Sequence, residues 1–313
     1  MKRFNFKVLA FLLPIIIIGG LMEFMLRQMP NVYRYKSNYL DKNSNNIEVL
    51  FLGSSHSFFG LNPVYTKKRS FNASHVSQTL DYDLLILKKY ENKWSDLKYI
   101  VLPISFFSLF EKMESSKEAW RAKDYCIYFK IRSSKYLPYY TEMLSGQLLT
   151  NFKRLYSYYW KKSDNIACTD LGWGTSYNSK YSKNLIESGK EAAKRHRITD
   201  DQYFEEMTLV LDSIIGFSRK YKIELILFTS PAFESYRDNL DQGQINRTTQ
   251  TVINKVNKYN NCSYFNFLED KSFIRNDFYD ADHMNEIGAK KLTLKIDSII
   301  ESKQKNLFPH DGI

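Results

Sequence analysis

Two short stretches hold side chains that could do nucleophilic chemistry. In the first, Val49-Leu50-Phe51-Leu52 runs into Gly53-Ser54-Ser55-His56-Ser57. An apolar run that stops in glycine and small hydroxyl residues resembles a buried parallel strand delivering a side chain to the edge of a sheet. In the second, Asp280-Ala281-Asp282-His283 lies far downstream. A serine hydroxyl is a poor nucleophile until a base takes its proton, and that base needs an orienting carboxylate. Histidine titrates near neutrality, which suits it to the task. An aspartate three residues before the histidine can reach Nδ1 and leave Nε2 free. Ser55 is therefore the candidate nucleophile, His283 the base and Asp280 the orienting acid. Asp282 is expected to face solvent and to serve as a second choice for that acid. Structural roles stay open beside these: Ser55 could cap a helix, and His283 could sit on a surface loop. His56 and His75 are expected in supporting positions. His196, within Lys194-Arg195-His196-Arg197, is expected on a solvated basic face.

These residues need a scaffold. Strands are expected over 47–52, 70–73, 99–105, 223–229 and 263–267, each a short apolar run bounded by turn-forming residues. Between them lie helical patterns. Leu80, Leu84, Leu87 and Tyr90 mark one face, and Phe204, Met207, Leu211, Ile214 and Ile215 another. A polar helix is expected over 244–259. A closing helix over 285–303 should turn Ile287, Leu292, Ile296 and Ile299 inward. Strand-helix alternation predicts an α/β fold: a doubly wound, three-layer, five-stranded parallel sheet whose sites lie at the carboxyl ends of strands. Residues 107–200 break the alternation. They hold 10 of the 23 tyrosines and three of the four tryptophans, with 17 Lys and Arg against 10 Asp and Glu. We read them as one mostly helical insertion, with a helix over 140–162 and a loop over 169–177. Its aromatic residues could form either a packed cap or a sugar-stacking platform.

At 43% hydrophobic and 25% charged residues, the chain of 313 has a globular composition. The net charge of +11 points to anionic partners. No helix-turn-helix, zinc-finger or RNP pattern accompanies it, so nucleic acid is not expected. Cys126, Cys168 and Cys262 are widely spaced and form no CxxC pair, so neither a metal site nor a thiol-redox centre is expected.

Residues 8–25 are almost wholly apolar, interrupted by a single charge at Glu23. Eighteen helical residues rise about 27 Å, close to the hydrocarbon thickness of a bilayer. Lys2, Arg3 and Lys7 precede the run and favour a cytoplasmic amino terminus. Without a small-residue cleavage site, an uncleaved single-pass signal-anchor over 1–26 is expected. A polar tether over 27–46, the main domain over 47–303 and a tail over 304–313 would follow. The domain would then lie outside the cytoplasmic membrane, periplasmic or at the cell surface.

The two chemical stretches and the strand order together resemble the SGNH (GDSL) hydrolase superfamily. Gly53-Ser54-Ser55-His56 is similar to that family's first block, with Ser54 in place of its aspartate. Asp280-Ala281-Asp282-His283 is similar to its last. Asn72-Ala73-Ser74-His75-Val76-Ser77 resembles the second block, with Ser77 near the position of its oxyanion glycine. The third block's asparagine is missing. Pro103-Ile104-Ser105-Phe106 stands there, with Ser105 the nearest polar substitute. Losing one oxyanion donor typically costs about 3 kcal/mol of transition-state stabilisation. The resemblance covers roughly 47–106 and 202–303. It implies an oxyanion hole from Ser55, Ser77 and Ser105, and no cofactor. Asn72 and Trp173 are expected to contact substrate. Membrane-anchored relatives D-alanylate teichoic acids or O-acetylate alginate and cell-wall glycan. The resemblance therefore implies acyl transfer to, or hydrolysis from, an envelope polysaccharide. An acyl-carrier donor and a membrane-bound acyltransferase are the partners it allows. A non-catalytic component of a glycan assembly complex is the alternative, and a general lipase a third.

Overall fold

Short apolar runs become strands here because both of their faces are covered. Val49, Leu50, Phe51, Ile100, Val101 and Leu102 are all fully buried. The structure, a computed structural model, describes residues 2–131, 135–163 and 166–307. The expected tail beyond residue 307 and the side chains of Lys2 and Arg3 lie outside the described residues.

The chain opens with helix α1 (Lys2–Gln28) and α2 (Val32–Asn43). Strand β1 (Val49–Phe51) leads into the short helix α3 (Ser55–Gly60). Then come β2 (Ser70–Asn72), α4 (Leu80–Lys89) and β3 (Tyr99–Pro103). Four helices follow: α5 (Ala122–Ile127), α6 (Leu148–Tyr159), α7 (Leu185–His196) and α8 (Phe204–Lys220). β4 (Glu224–Thr229), α9 (Glu234–Arg237), α10 (Gln242–Val256) and β5 (Cys262–Asn266) restore the alternation. A small hairpin of β6 (Phe278–Asp280) and β7 (His283–Met284) precedes the closing helix α11 (Glu286–Leu307).

Five strands form one parallel sheet in the order β2-β1-β3-β4-β5. Leu50 sits opposite Phe71 on one side and Ile100 on the other. From β1 the chain goes first to the β2 edge and then to β3 on the opposite side. Such a reversal opens a crevice at the carboxyl ends of the strands. Gly53 to Ser55 follow β1 and Ser105 follows β3, so both lie at this crevice.

The chain forms two compact units: Met1–Asn38 with Lys117–Ile166, and Tyr39–Ser116 with Ala167–Ile313. The single insertion expected over 107–200 is thus divided. Its middle belongs to the first unit, while its two ends belong to the unit that carries the sheet. Within the first unit, Met22, Leu26 and Met29 of the amino-terminal segment form a core with Leu155 of α6. The Glu23 carboxylate accepts the backbone N–H groups of Glu142 (3.0 Å) and Met143 (2.9 Å). Arg27 donates to Glu23 and to the Tyr140 carbonyl, both at 2.6 Å. The apolar length of α1 is sufficient to cross a membrane.

Several expectations need correction. The polar segment over 27–46, expected as a tether, is largely helical: α2 lies within it, with Tyr33, Lys36, Ser37 and Leu40 buried. The helix expected over 140–162 begins only at Leu148, because Leu137–Tyr140 forms a separate 3-10 turn. In α11, Leu292, Ile296 and Ile300 point inward, whereas Ile287 is half exposed. Spacings of four residues from Leu292 set that face.

Candidate active site

Every group in this section belongs to the unit that carries the sheet. Gly53 ends the path out of β1 with φ +104°, the left-handed region that favours glycine. A Cβ there would come 2.6 Å from the Pro103 ring. Its N–H donates to the Asp83 carboxylate at 2.8 Å, and the same oxygen accepts from Gln78 Nε2 at 2.5 Å. Burial pushes the Asp83 carboxyl up to about 7, against the pull of those two donors. Asp83 thus braces the turn before Ser55 and the loop that holds Ser77.

Ser55 opens α3, with Ser54 as its extended cap residue. The Ser55 Oγ lies 2.8 Å from His283 Nε2. His283 Nδ1 lies 2.8 Å from Asp280 Oδ1, which also accepts the His283 backbone N–H at 3.0 Å. The β6-β7 hairpin fixes this last pair, because Asp280 and His283 face each other across it. The three residues singled out from their types and spacing therefore form one hydrogen-bonded relay.

Asp282 departs from expectation. It is buried, with Oδ1 3.3 Å from His283 Nδ1. Its Oδ2 has no hydrogen-bond partner among the described residues. His196 Nδ1 (3.9 Å), Arg195 Nη2 (3.9 Å) and His56 Nε2 (4.0 Å) stand around that oxygen. Burial favours its neutral form, but the His283, His196 and His56 rings prevail and hold Asp282 ionised, below the usual carboxylate range. Burial alone would lower His283. The Asp282 and Asp280 carboxylates outweigh it and raise the imidazole to about 10. The two carboxylates thus favour a proton on the His283 ring, whose Nδ1 faces Asp280 and whose Nε2 faces Ser55. His56 and His196 stay neutral, lowered to about 3 and about 4, chiefly by burial. His196 is not on a solvated face: its Nδ1 meets the Tyr236 hydroxyl at 2.8 Å, and its ring packs 4.4 Å from Phe107.

Ser77 has φ +60°, a left-handed conformation held here without glycine. The backbone N–H groups of Ser55 and Ser77 donate to no acceptor among the described residues. Ser105 is placed differently. Its Oγ lies 2.6 Å from His56 Nδ1. With the Asp282 carboxylate facing Nε2, the neutral His56 keeps its proton on Nε2, so Nδ1 accepts from Ser105. The Ser105 hydroxyl proton is thereby committed to His56.

Asn72, expected to contact substrate, instead spends its polar atoms inside the fold. It is fully buried, and its Nδ2 donates to the carbonyls of Ser57 (2.9 Å) and Leu61 (2.8 Å). Its Oδ1 accepts from the Ser74 N–H and hydroxyl. It ties β2 to α3. Trp173 is half-buried, and its indole N–H donates to the Phe59 carbonyl at 2.7 Å, bracing α3 from the side. His75 packs on Phe58, and its backbone N–H donates to the Gly53 carbonyl at 3.3 Å.

Sequence reasoning missed an aromatic wall. Tyr177 is stacked between Phe59 (3.7 Å) and Tyr279 (4.0 Å), and its edge contacts the His283 ring at 5.3 Å. Its position in a loop far from both partners gives no periodic signal. A different signal was available for α7. Leu185, Gly189, Ala192 and Ala193 repeat at helical spacing behind the capping residue Asn184, and this helix carries Arg195 and His196 to Asp282. Beside the cluster lies a cavity of about 20 Å³ lined by His56, Ser105, Thr229, Ser230, Tyr236 and Asp282. That is room for a water molecule, not for an acyl chain.

No protein-family model matches this chain, and no curated protein matches it. A solved structure from Streptococcus pneumonia, assigned provisionally as a platelet activating factor, is similar over 91% of this chain and 98% of its own. The identity is 11% and the TM-score 0.43, a likeness too slight to bear on function.

Proposed function

We propose that the sheet-bearing unit is a serine esterase or O-acyltransferase of the SGNH type. It is held by α1 at the outer side of the cytoplasmic membrane and acts on acyl esters of envelope polysaccharide. The observation that carries this is the relay from Ser55 through His283 to Asp280, with both hydrogen bonds at 2.8 Å. In this mechanism, Ser55 Oγ attacks the acyl carbonyl and its proton passes to a neutral His283 Nε2. The oxyanion accepts from the N–H groups of Ser55 and Ser77. Collapse breaks the ester bond, and the departing alkoxide takes the proton back from His283. Water or a sugar hydroxyl then attacks the acyl-serine by the same route, restoring Ser55. A retained anchor is supported by Glu23, Leu26 and Arg27, which are built into the first unit's core and hydrogen bonding. Cleavage would remove them.

One observation favours the non-catalytic reading. Ser105, the polar side chain nearest the missing asparagine, is already paired with His56 at 2.6 Å. A serine-directed fluorophosphonate separates the two. Labelling of the wild type should increase with pH toward about pH 10, as His283 loses its proton, and should vanish in Ser55→Ala. Labelling absent at every pH would favour a binding role. Equal labelling of Ser55→Ala would remove Ser55 as nucleophile.

A further inference from the structure

The first unit leaves one face of α6 uncovered. Asn151 and Leu155 of that helix point inward, while Leu149, Phe152 and Tyr156 are exposed, as is Trp160 just beyond its end. These four positions follow one another at intervals of three or four residues and share one helical face. Leu149 is 65% exposed and Trp160 78%. Leu144 and Leu137, in the preceding turns, are exposed as well. A contiguous apolar and aromatic patch of this kind marks a contact surface.

The way α6 docks indicates what covers it. Leu155 packs on Met22, Leu26 and Met29, and the Tyr159 hydroxyl donates to the Met25 carbonyl at 3.0 Å. Those residues end the apolar stretch of α1, whose earlier side chains, such as Phe11, Ile16 and Ile17, are exposed. With α1 inserted, α6 lies at the level where that helix leaves the hydrocarbon. We propose that α6 is an interfacial helix, its Leu149-Phe152-Tyr156-Trp160 face seated at the headgroup boundary of the same bilayer. Tyr and Trp favour that depth, with an apolar body and a polar tip. Lys153 stands within the exposed face, and Lys161 and Lys162 follow it, where they can reach lipid phosphates. Aliphatic Leu149 and Leu148 would have no role in a sugar-stacking platform.

The inference rests on α1 spanning the membrane, so its test must report on α6 alone. Full-length protein is placed in nanodiscs of phosphatidylglycerol and phosphatidylcholine, brominated on the acyl chains either near the headgroup or near the chain end. Subtracting the emission of Trp160→Phe from that of the wild type isolates Trp160 from the other tryptophans. Shallow bromine should quench this difference signal by about half, and deep bromine should leave it nearly unchanged. Incorporated protein whose Trp160 signal ignores both bromine positions would overturn the proposal. A signal blind to bromine that shifts on adding soluble anionic polysaccharide would reassign the face to glycan. Protein that never enters the nanodisc would remove the anchor itself, and this inference with it.

Discussion

Each unit buries a cluster of charges, and the two clusters are finished differently. In the first unit, the Glu142 carboxylate meets Lys123 (3.0 Å), Arg154 (2.8 Å) and the Tyr128 hydroxyl (2.5 Å). Asp124 takes Lys123 at 2.6 Å. Two carboxylates balance two cations, and burial is outweighed enough to hold Glu142 at about 2. In the second unit, Asp280 and Asp282 converge on one imidazole, and Asp282 Oδ2 is left without a hydrogen-bond partner. Apart from the His283 ring itself, the flanking cations Arg195 and Lys183 stand 3.9 Å off and are largely exposed. A saturated cluster fixes structure. An unsaturated one stores electrostatic potential against a serine hydroxyl within proton-transfer distance.

The comparison breaks first at Asp280. Asp280→Asn keeps the shape but removes the charge that fixes the His283 tautomer. Acyl transfer or fluorophosphonate labelling should fall by about four orders of magnitude, with the circular dichroism spectrum unchanged. A loss under about tenfold would mean that Asp282 already serves as the orienting acid. In the saturated cluster the counterpart is Glu142→Ala, which strands Lys123 and Arg154 among buried groups. Denaturant unfolding of the detergent-solubilised chain should show a loss of about 3–5 kcal/mol. Labelling of Ser55 in protein that stays folded should be little changed. If labelling falls with stability intact, the first cluster is not merely structural.

How much of this the sequence disclosed follows from the range of the forces involved. Ser55, Asp280 and His283 were legible because strand ends and an i, i+3 spacing are local features. The parallel sheet was legible because Val49–Phe51 and Tyr99–Pro103 are apolar on both faces. Asp282 was misjudged because alternation along the chain puts it opposite its neighbours, whereas α7 folds over that side and buries it. Tyr177 and Arg195 come from segments whose approach is a tertiary event. The split of residues 107–200 was hidden because Glu23 and Leu26 recruit 142–155 through contacts more than a hundred residues apart.

Asp282 itself sharpens the comparison by pH. With His283 raised to about 10, the neutral ring that the proposed mechanism uses as its base accumulates as pH rises toward that value. Removing one of two carboxylates should move this limb of the pH–rate profile of Asp282→Asn toward acid by about one unit, roughly 1.4 kcal/mol. Stability carries the matching sign. The folded value exceeds the ordinary 6.5, so the His283 contribution is complete below about pH 6.5 and is lost as pH rises through about 10. Melting temperatures of the wild type should therefore fall across that window more steeply than those of the variant. Parallel curves would show that Asp282 does not act on His283.

The smallest effect is expected where the second cluster is itself saturated. Ser105 and His56 satisfy each other at 2.6 Å, with the hydroxyl proton committed to Nδ1. Ser105→Ala leaves Nδ1 of a neutral ring without its donor, at a cost of about 1–2 kcal/mol in stability. It takes nothing from the Ser55 and Ser77 N–H groups. Turnover at the optimal pH should change by less than about tenfold. Deleting an oxyanion donor instead costs about 100-fold to 1,000-fold in turnover with KM little altered. A loss of that larger size would show that Ser105 leaves His56 when substrate arrives and supplies the donor that the missing asparagine would have given. The Ser105–His56 pair would then be a resting state, and the boundary between the saturated and unsaturated parts of this cluster would shift during the reaction.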